Sequence, residues 1–196
     1  MLTKLKQRAQ SWLTSEAVLL HRLGLTPNHV SILGLLLALL SAVTYWQWKL
    51  HPLLLIVAPL LMLASGLVDA LDGAIARIYG EATKFGGFFD SLLDRYADAI
   101  IICGIILGGL TDITWGLAAL MGSLLVSYAR ARAEAAGVKM ESVGLAERAE
   151  RLVLLALASF LSFVWLEALS WGVLVLAILT NLTVIQRAIY FHKASQ

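Results

Sequence analysis

The chain has 196 residues, 60% of them hydrophobic and 14% charged, with a formal net charge of +2 and a mean hydropathy of +0.83. Soluble domains carry about 45–50% apolar and about 25% charged residues, so the composition excludes an ordinary soluble core, and the small net charge gives no ground for a nucleic-acid partner. The single cysteine, Cys103, sits in an apolar run; it excludes an intrachain disulfide and a cysteine-based metal site, and is expected as a small buried core residue.

Residues 1–24 read as a juxtamembrane amphipathic helix on the cytoplasmic membrane surface. Lys4, Lys6 and Arg8 mix with Leu2, Leu5, Trp12, Leu13, Leu19 and Leu20 at roughly helical spacing. This stretch lacks the long apolar run and small-residue cleavage site of a secretory signal peptide. Thr26–Pro27–Asn28 then opens a helix, Thr26 as cap and Pro27 in the first turn. Residues 25–196 are predicted to form one all-α membrane domain of six apolar stretches: Val30–Trp48, Leu53–Val68, about Phe85 to Leu110, Ile113–Ala129, Leu152–Leu166 and Ala168–Gln186. A membrane crossing takes about 20 residues. Several stretches reach that length only with their charged ends, which places those ends at an interface or in a cavity.

Charge placement orients the chain. Lys4, Lys6, Arg8 and Arg22 precede the first span; Arg77 and Lys84 link the second and third; Arg130, Arg132, Lys139, Arg148 and Arg151 link the fourth and fifth; Arg187 and Lys193 follow the sixth. With six spans all of these fall on one side, leaving Lys49, Asp112 and Glu167 on the other, so both termini are expected in the cytoplasm. Trp46, Trp48, Trp115, Trp165 and Trp171 lie near the opposite ends, as an aromatic belt would.

The densest charge lies where a membrane chain tolerates it least. Between Val68 and Asp98 come Asp69, Asp72, Arg77, Glu81, Lys84, Asp90, Asp94, Arg95 and Asp98. Ionisable groups within spans are costly and mark function by default. Asp69 and Asp72, three apart, share a helix face, as do Asp90 and Asp94, four apart. A short turn at Gly80 is expected to pack the two helices side by side and bring the pairs together. Like charges in a low-dielectric pocket do not all stay ionised unaided. A hard divalent cation resolves the conflict, and an all-oxygen site favours Mg²⁺, Mn²⁺ or Ca²⁺. Such an ion suits a phosphate-bearing substrate. The histidines His21, His29, His51 and His192 are scattered, without a carboxylate at ligand spacing, and read as interfacial or solvated.

Asp69-x-x-Asp72-Gly73-x-x-Ala76-Arg77, eight further residues, then Gly86-x-x-x-Asp90-x-x-x-Asp94 resembles the CDP-alcohol phosphotransferase signature at eight fixed residues over 26 positions. The resemblance implies two divalent ions, Mg²⁺ or Mn²⁺, held by Asp69, Asp72, Asp90 and Asp94, with Asp94 also the catalytic base. It implies a CDP-lipid site formed by Thr26, Pro27, Asn28, Asp72, Gly73, Ala76, Arg77 and Gly86, with Arg77 facing the pyrophosphate. The acceptor hydroxyl attacks the β-phosphorus and CMP leaves. A homodimer in the cell membrane, with a cytoplasmic active site, is implied as well. Asp98 lies outside the pattern and is expected to tune Asp94, to pair with Arg95, or to be a satisfied polar group between helices.

The stretches Ser127–Ala135, Val143–Leu152 and Asn181–Arg187 are similar to the prokaryotic phosphatidylinositol-phosphate synthase branch of that family, which includes archaeal archaetidylinositol-phosphate synthases. That likeness implies CDP-diacylglycerol or CDP-archaeol as donor and inositol 1-phosphate as acceptor. Arg130, Arg132, Lys139, Arg148, Arg151 and Arg187 would bind the acceptor phosphate, guanidinium groups matching phosphate bidentately. Glu147 and Glu150 are expected to orient them. The same cations also fit contact with anionic headgroups, for Arg132 and Lys139 above all. Within the enzyme class the alternative acceptor is glycerol 3-phosphate, in a phosphatidylglycerophosphate synthase. A cation transporter is the distant alternative; it predicts acids through the whole membrane depth, whereas here they keep to one half.

Overall fold

The computed structural model describes residues 14–140, 143–145 and 147–195. The basic and apolar positions from Leu2 to Leu13 lie outside the described residues. Residues 14–22 are helical (α1). Then follow α2 (Pro27–Trp46), a single 3₁₀ turn, α3 (Leu54–Tyr79), α4 (Lys84–Leu107), α5 (Ile113–Ala135), α6 (Arg148–Ser162) and α7 (Ala168–Ala194). No strand occurs among the described residues, in keeping with the all-α expectation.

The helices close into a ring: α2 packs on α3, α3 on α6, α6 on α7, α7 on α5, α5 on α4, and α4 back on α2. This corrects the expectation of α3 lying directly along α4, since those two barely touch and α2 packs along both. The wedge depends on small residues. A Cβ at Gly104 of α4 would stand 2.5 Å from the Ala42 carbonyl oxygen of α2. Ser41 and Ser65 each donate across the α2–α3 contact, to the carbonyls of Ala58 and Gly34, both at 2.8 Å. The ring encloses a core that includes Tyr45, Met62, Ile105, Leu169 and Leu176. The Tyr45 hydroxyl shares a 2.6 Å hydrogen bond with Ser159, so this buried phenol is satisfied.

The outer surface is apolar. Leu36, Leu40, Leu157, Val164 and Ile178 are all exposed, as lipid-facing positions would be. Cys103 is exposed among them, on the outside of α4, and not in the core as expected; an apolar run in lipid does not distinguish inward from outward faces. Three helices, α2, α3 and α7, are long and apolar enough to cross a membrane by length and composition. Helices α4 and α5 have the length but carry charge, and α6, with 15 residues, extends only about 22 Å at 1.5 Å per residue.

Local sequence sets the ends that matter. Helix α3 stops at Gly80, whose φ of 67° is the left-handed C-cap conformation that suits glycine. Thr83 then caps α4 by accepting from the Gly86 N–H at 2.9 Å. The Ala17 side of α1 packs on Val30, Leu71 and Ile75, seating α1 beside the α3–α4 turn. There His21 stacks on Tyr79 with ring centroids 3.5 Å apart and bonds Glu81 at 3.0 Å. His21, expected as interfacial or solvated, stays partly exposed, but it has a carboxylate partner 60 residues away, beyond any local spacing rule.

Candidate active site

Asp69 and Asp72 on α3 and Asp90 on α4 each offer a carboxylate oxygen within 4.8 Å of the others. At that distance two unscreened carboxylates repel by on the order of 3 kcal/mol at an effective dielectric of 20, so the trio calls for positive charge. Asp72 is buried and accepts from the Ser31 hydroxyl at 2.6 Å, which aims it. Asp90 Oδ1 is buried with no hydrogen-bond partner among the described residues. An orphaned oxygen among three converging carboxylates, with no sulfur or imidazole beside them, fits a hard divalent cation.

Asp94 is not one of that trio but lines a small gap with Asp69 and Asp90. Its Oδ1 lies 2.7 Å from Arg148 Nη1, an ion pair whose angles do not make a hydrogen bond, and its Oδ2 lies 3.5 Å from Arg95. Arg148 Nη1 also reaches Asp69 at 2.5 Å, and its Nε donates to Asp98 at 3.2 Å. Arg151 completes the network by donating to the other Asp98 oxygen at 2.7 Å. Asp98 thus pairs with Arg148 and Arg151 from α6 and not with Arg95, whose guanidinium bonds the Ser91 carbonyl on its own helix. The pairing crosses 50 and 53 residues of sequence, so the nearest-neighbour expectation had no access to it.

Two cavities flank this cluster. The first, about 370 Å³, is lined by Thr26, Pro27 and Asn28 of the α2 entry, by Ser31, Asp72, Gly73, Ala76 and Arg77, and by Glu81, Thr83, Gly86 and Asp90. Every residue assigned from sequence to the CDP-lipid site lines it. Its walls are tight: a Cβ at Gly73 would come 3.2 Å from the Arg77 guanidinium, and one at Gly86 3.0 Å from Thr83 Oγ1. Ser31, Glu81 and Thr83 were missed; Ser31, a polar residue one turn after Pro27 in an apolar run, was the legible signal.

The second cavity, about 280 Å³, is lined by Asp94, Arg95, Asp98, Ser127, Arg130, Glu147, Arg148, Arg151 and Arg187. Four of the six cations assigned to the acceptor phosphate meet here. Arg132 instead lines a mostly apolar groove with Leu125, Tyr128 and Phe191, and Lys139 is exposed and lines neither cavity. Helical periodicity explains the split, since Arg130 and Arg132, two apart on α5, face different directions. Arg187 is buried and fixed by the carbonyls of Val143 at 2.8 Å and Val126 at 2.5 Å. Gly144, at φ 125°, lies against Thr183 and lets the segment before α6 lie this close to α7. Glu150 accepts from the Glu147 N–H at 2.7 Å, so this pair closes the N-terminus of α6 and is not the arginine-orienting pair expected.

Comparison with known proteins places the chain in a family. Residues 24–190 match the family model for CDP-alcohol phosphatidyltransferase. The chain is 40% identical over 189 residues to the archaetidylinositol phosphate synthase of Pyrococcus horikoshii, covering 95% of this chain and 94% of that one. It superposes on the phosphatidylinositol phosphate synthase of Mycobacterium tuberculosis with CDP-DAG bound at TM-score 0.80 and 33% identity, covering 91% and 92% of the two chains. The structure of that synthase with manganese and citrate gives TM-score 0.79 at 33% identity, covering 91% and 88%. The aspartate signature, the two cavities beside it and a family match along nearly the whole chain leave one assignment: this is an enzyme of the CDP-alcohol phosphatidyltransferase family.

Proposed function

We propose that the enzyme moves the phosphatidyl or archaetidyl group of a CDP-lipid onto inositol 1-phosphate and releases CMP. The observation that carries the acceptor choice is the convergence of Arg130, Arg148, Arg151 and Arg187 on one cavity that shares Asp94 with the aspartate cluster. A neutral alcohol needs no such charge, whereas a phosphate matches guanidinium donors. Relatives named for inositol phosphate lipids support the same reading.

Asp69, Asp72 and Asp90 would hold the divalent cation, Mg²⁺ or Mn²⁺, and Asp94 would join them at a second ion. When bound, the metal neutralises phosphate oxygens and steadies the leaving group. The nucleotide lies in the first cavity, where Gly73, Ala76 and Gly86 leave room and Arg77 faces the pyrophosphate. Asp94, which lines both the second cavity and the small gap inside the aspartate cluster, takes the proton of the acceptor hydroxyl as the hydroxyl oxygen bonds to the β-phosphorus. The bond from that phosphorus to the bridging oxygen breaks, and CMP carries the electrons away. Positioning and charge stabilisation supply most of the rate in such transfers.

In this reading α2–α7 all cross the cell membrane, and the aspartate end faces the cytoplasm with both termini. Residues 1–24 lie on that surface and 25–196 form the membrane domain, working as a homodimer. A reporter fused after Gln196 that is active only outside the cytoplasm would stay silent. Cross-linking in native membranes would yield a band of twice the monomer mass.

The deciding assay follows labelled CMP release by the purified enzyme from CDP-diacylglycerol and CDP-archaeol. Each donor is offered inositol 1-phosphate, free inositol and glycerol 3-phosphate. Turnover is expected with inositol 1-phosphate; turnover with glycerol 3-phosphate alone would move the enzyme to the phosphatidylglycerophosphate branch.

A further inference from the structure

Arg148 belongs to two sites at once. It lines the basic cavity, and it also walls the small gap inside the aspartate cluster with Asp69, Asp90 and Asp94. Its guanidinium faces Asp69, Asp94 and Asp98. Three other arginines of the cavity are engaged elsewhere: Arg151 with Asp98, Arg187 with the Val126 and Val143 carbonyls, Arg130 with Glu134 at 2.8 Å. Arg95 also reaches Asp94, at 3.5 Å, but Arg148 alone among the cavity's arginines contacts both Asp69 and Asp94, carboxylates that the proposed metal site also uses.

A guanidinium beside a divalent ion on the same carboxylates is repelled by it. The two cations therefore compete for Asp69 and Asp94. Asp98 offers a pivot. It holds Arg148 Nε at 3.2 Å and is itself held by Arg151 at 2.7 Å, so the guanidinium can leave Asp69 and Asp94 without losing its third partner. The space open to it from that pivot is the basic cavity.

We propose that Arg148 is a positioning residue that couples metal loading to acceptor binding. It neutralises Asp69 and Asp94 before the metal arrives, and the metal releases it toward the acceptor phosphate. The inference rests on the metal and acceptor assignments above and adds an order to them: metal first, phosphate second.

The test needs no turnover. Mn²⁺ binding to purified protein in detergent, without substrate, is followed by the loss of the free-ion EPR signal. Arg148→Gln is expected to bind Mn²⁺ about ten-fold tighter than wild type, an ordinary size for coupling between sites. Arg148→Lys, which keeps the charge without the fork, should fall between the two and serves if the glutamine variant does not fold. In the wild type, Mn²⁺ should tighten the binding of inorganic phosphate several-fold, and Arg148→Gln should lose most of that gain. Mn²⁺ affinity unchanged or weakened in whichever variant folds, or phosphate affinity indifferent to Mn²⁺ in the wild type, overturns the proposal. Asp90→Asn separates the levels: if it binds Mn²⁺ as well as wild type, the metal assignment itself has failed.

Discussion

The two cavities meet at one aspartate cluster but are built in opposite ways. The first is shaped by small residues and a helix entry, with Arg77 as its basic group. The second is smaller and holds five arginines and two aspartates. One is suited to admit a bulky nucleotide by fit, the other to hold a compact anion by charge. Their construction differs too. The first draws on residues 26–31 and 72–90, the second on residues from 94 to 187 across four helices. Substitutions should therefore separate donor from acceptor kinetics cleanly, except at the boundary.

The largest effect is expected at Asp94, where the second cavity meets the aspartate cluster. Asp94→Asn keeps the volume but cannot take the acceptor proton, and should lower kcat by about 10³-fold, within the range for loss of a general base. Mn²⁺ binding by Asp69, Asp72 and Asp90 should persist in the same variant. Turnover retained in single-turnover CMP release would exclude Asp94 as the base.

Next in size is a charge removed from the second cavity. Arg151→Ala should raise the acceptor KM by about 10- to 100-fold, the worth of a charge-assisted hydrogen bond, and leave the CDP-lipid KM within a few-fold. It also strips a partner from Asp98, so lower thermal stability is expected. Asp98→Asn in the same chain should restore stability without restoring acceptor affinity. A rise in the CDP-lipid KM instead would put the acceptor pocket elsewhere.

On the first cavity, Gly86→Ala adds a methyl 3.0 Å from Thr83 Oγ1 and 3.5 Å from Asn28 Oδ1. The entry to the cavity must shift, and the CDP-lipid KM should rise by about ten-fold, the scale of one methylene misfit in a pocket. The acceptor KM should hold. An acceptor effect as large as the donor effect would erase the distinction between the cavities.

This difference in construction also decides what could be read from sequence. The first cavity was legible because most of its residues are local: Asp72, Gly73, Ala76 and Arg77 on one helix, Gly86 and Asp90 on the next, at spacings helical geometry turns into one face. Periodicity located the helices, because lipid and core both select apolar residues, but for that reason it did not say which apolar face points inward. Cys103 was misplaced on this account, and so was the packing of α3 and α4 around α2. The second cavity was legible only as a list of cations. Which of them converge depends on the ring, and the sequence had no means of separating Arg130 from Arg132 or of joining Asp98 to Arg148 and Arg151. Charge alone named the candidates; topology selected among them.

The smallest expected effect probes a support that neither helix spacing nor charge counting revealed. His21 holds Glu81, and Glu81 lines the first cavity. The contact is partly exposed, with 30% and 38% of the two side chains accessible, so its direct energy is small, as for surface ion pairs. Its effect is geometric: together with the Tyr79 stack it fixes the α3–α4 turn against α1. His21→Ala should raise the CDP-lipid KM by about two- to three-fold, the equivalent of a contact worth under 1 kcal/mol, and leave the acceptor KM and kcat unchanged. His21→Phe keeps the stack and loses the bond. If the phenylalanine variant matches wild type, stacking on Tyr79 positions the turn. If it matches the alanine variant, the hydrogen bond to Glu81 does. An acceptor effect in either variant would mean that α1 acts on the whole cluster and that the two cavities are not independent at this end of the ring.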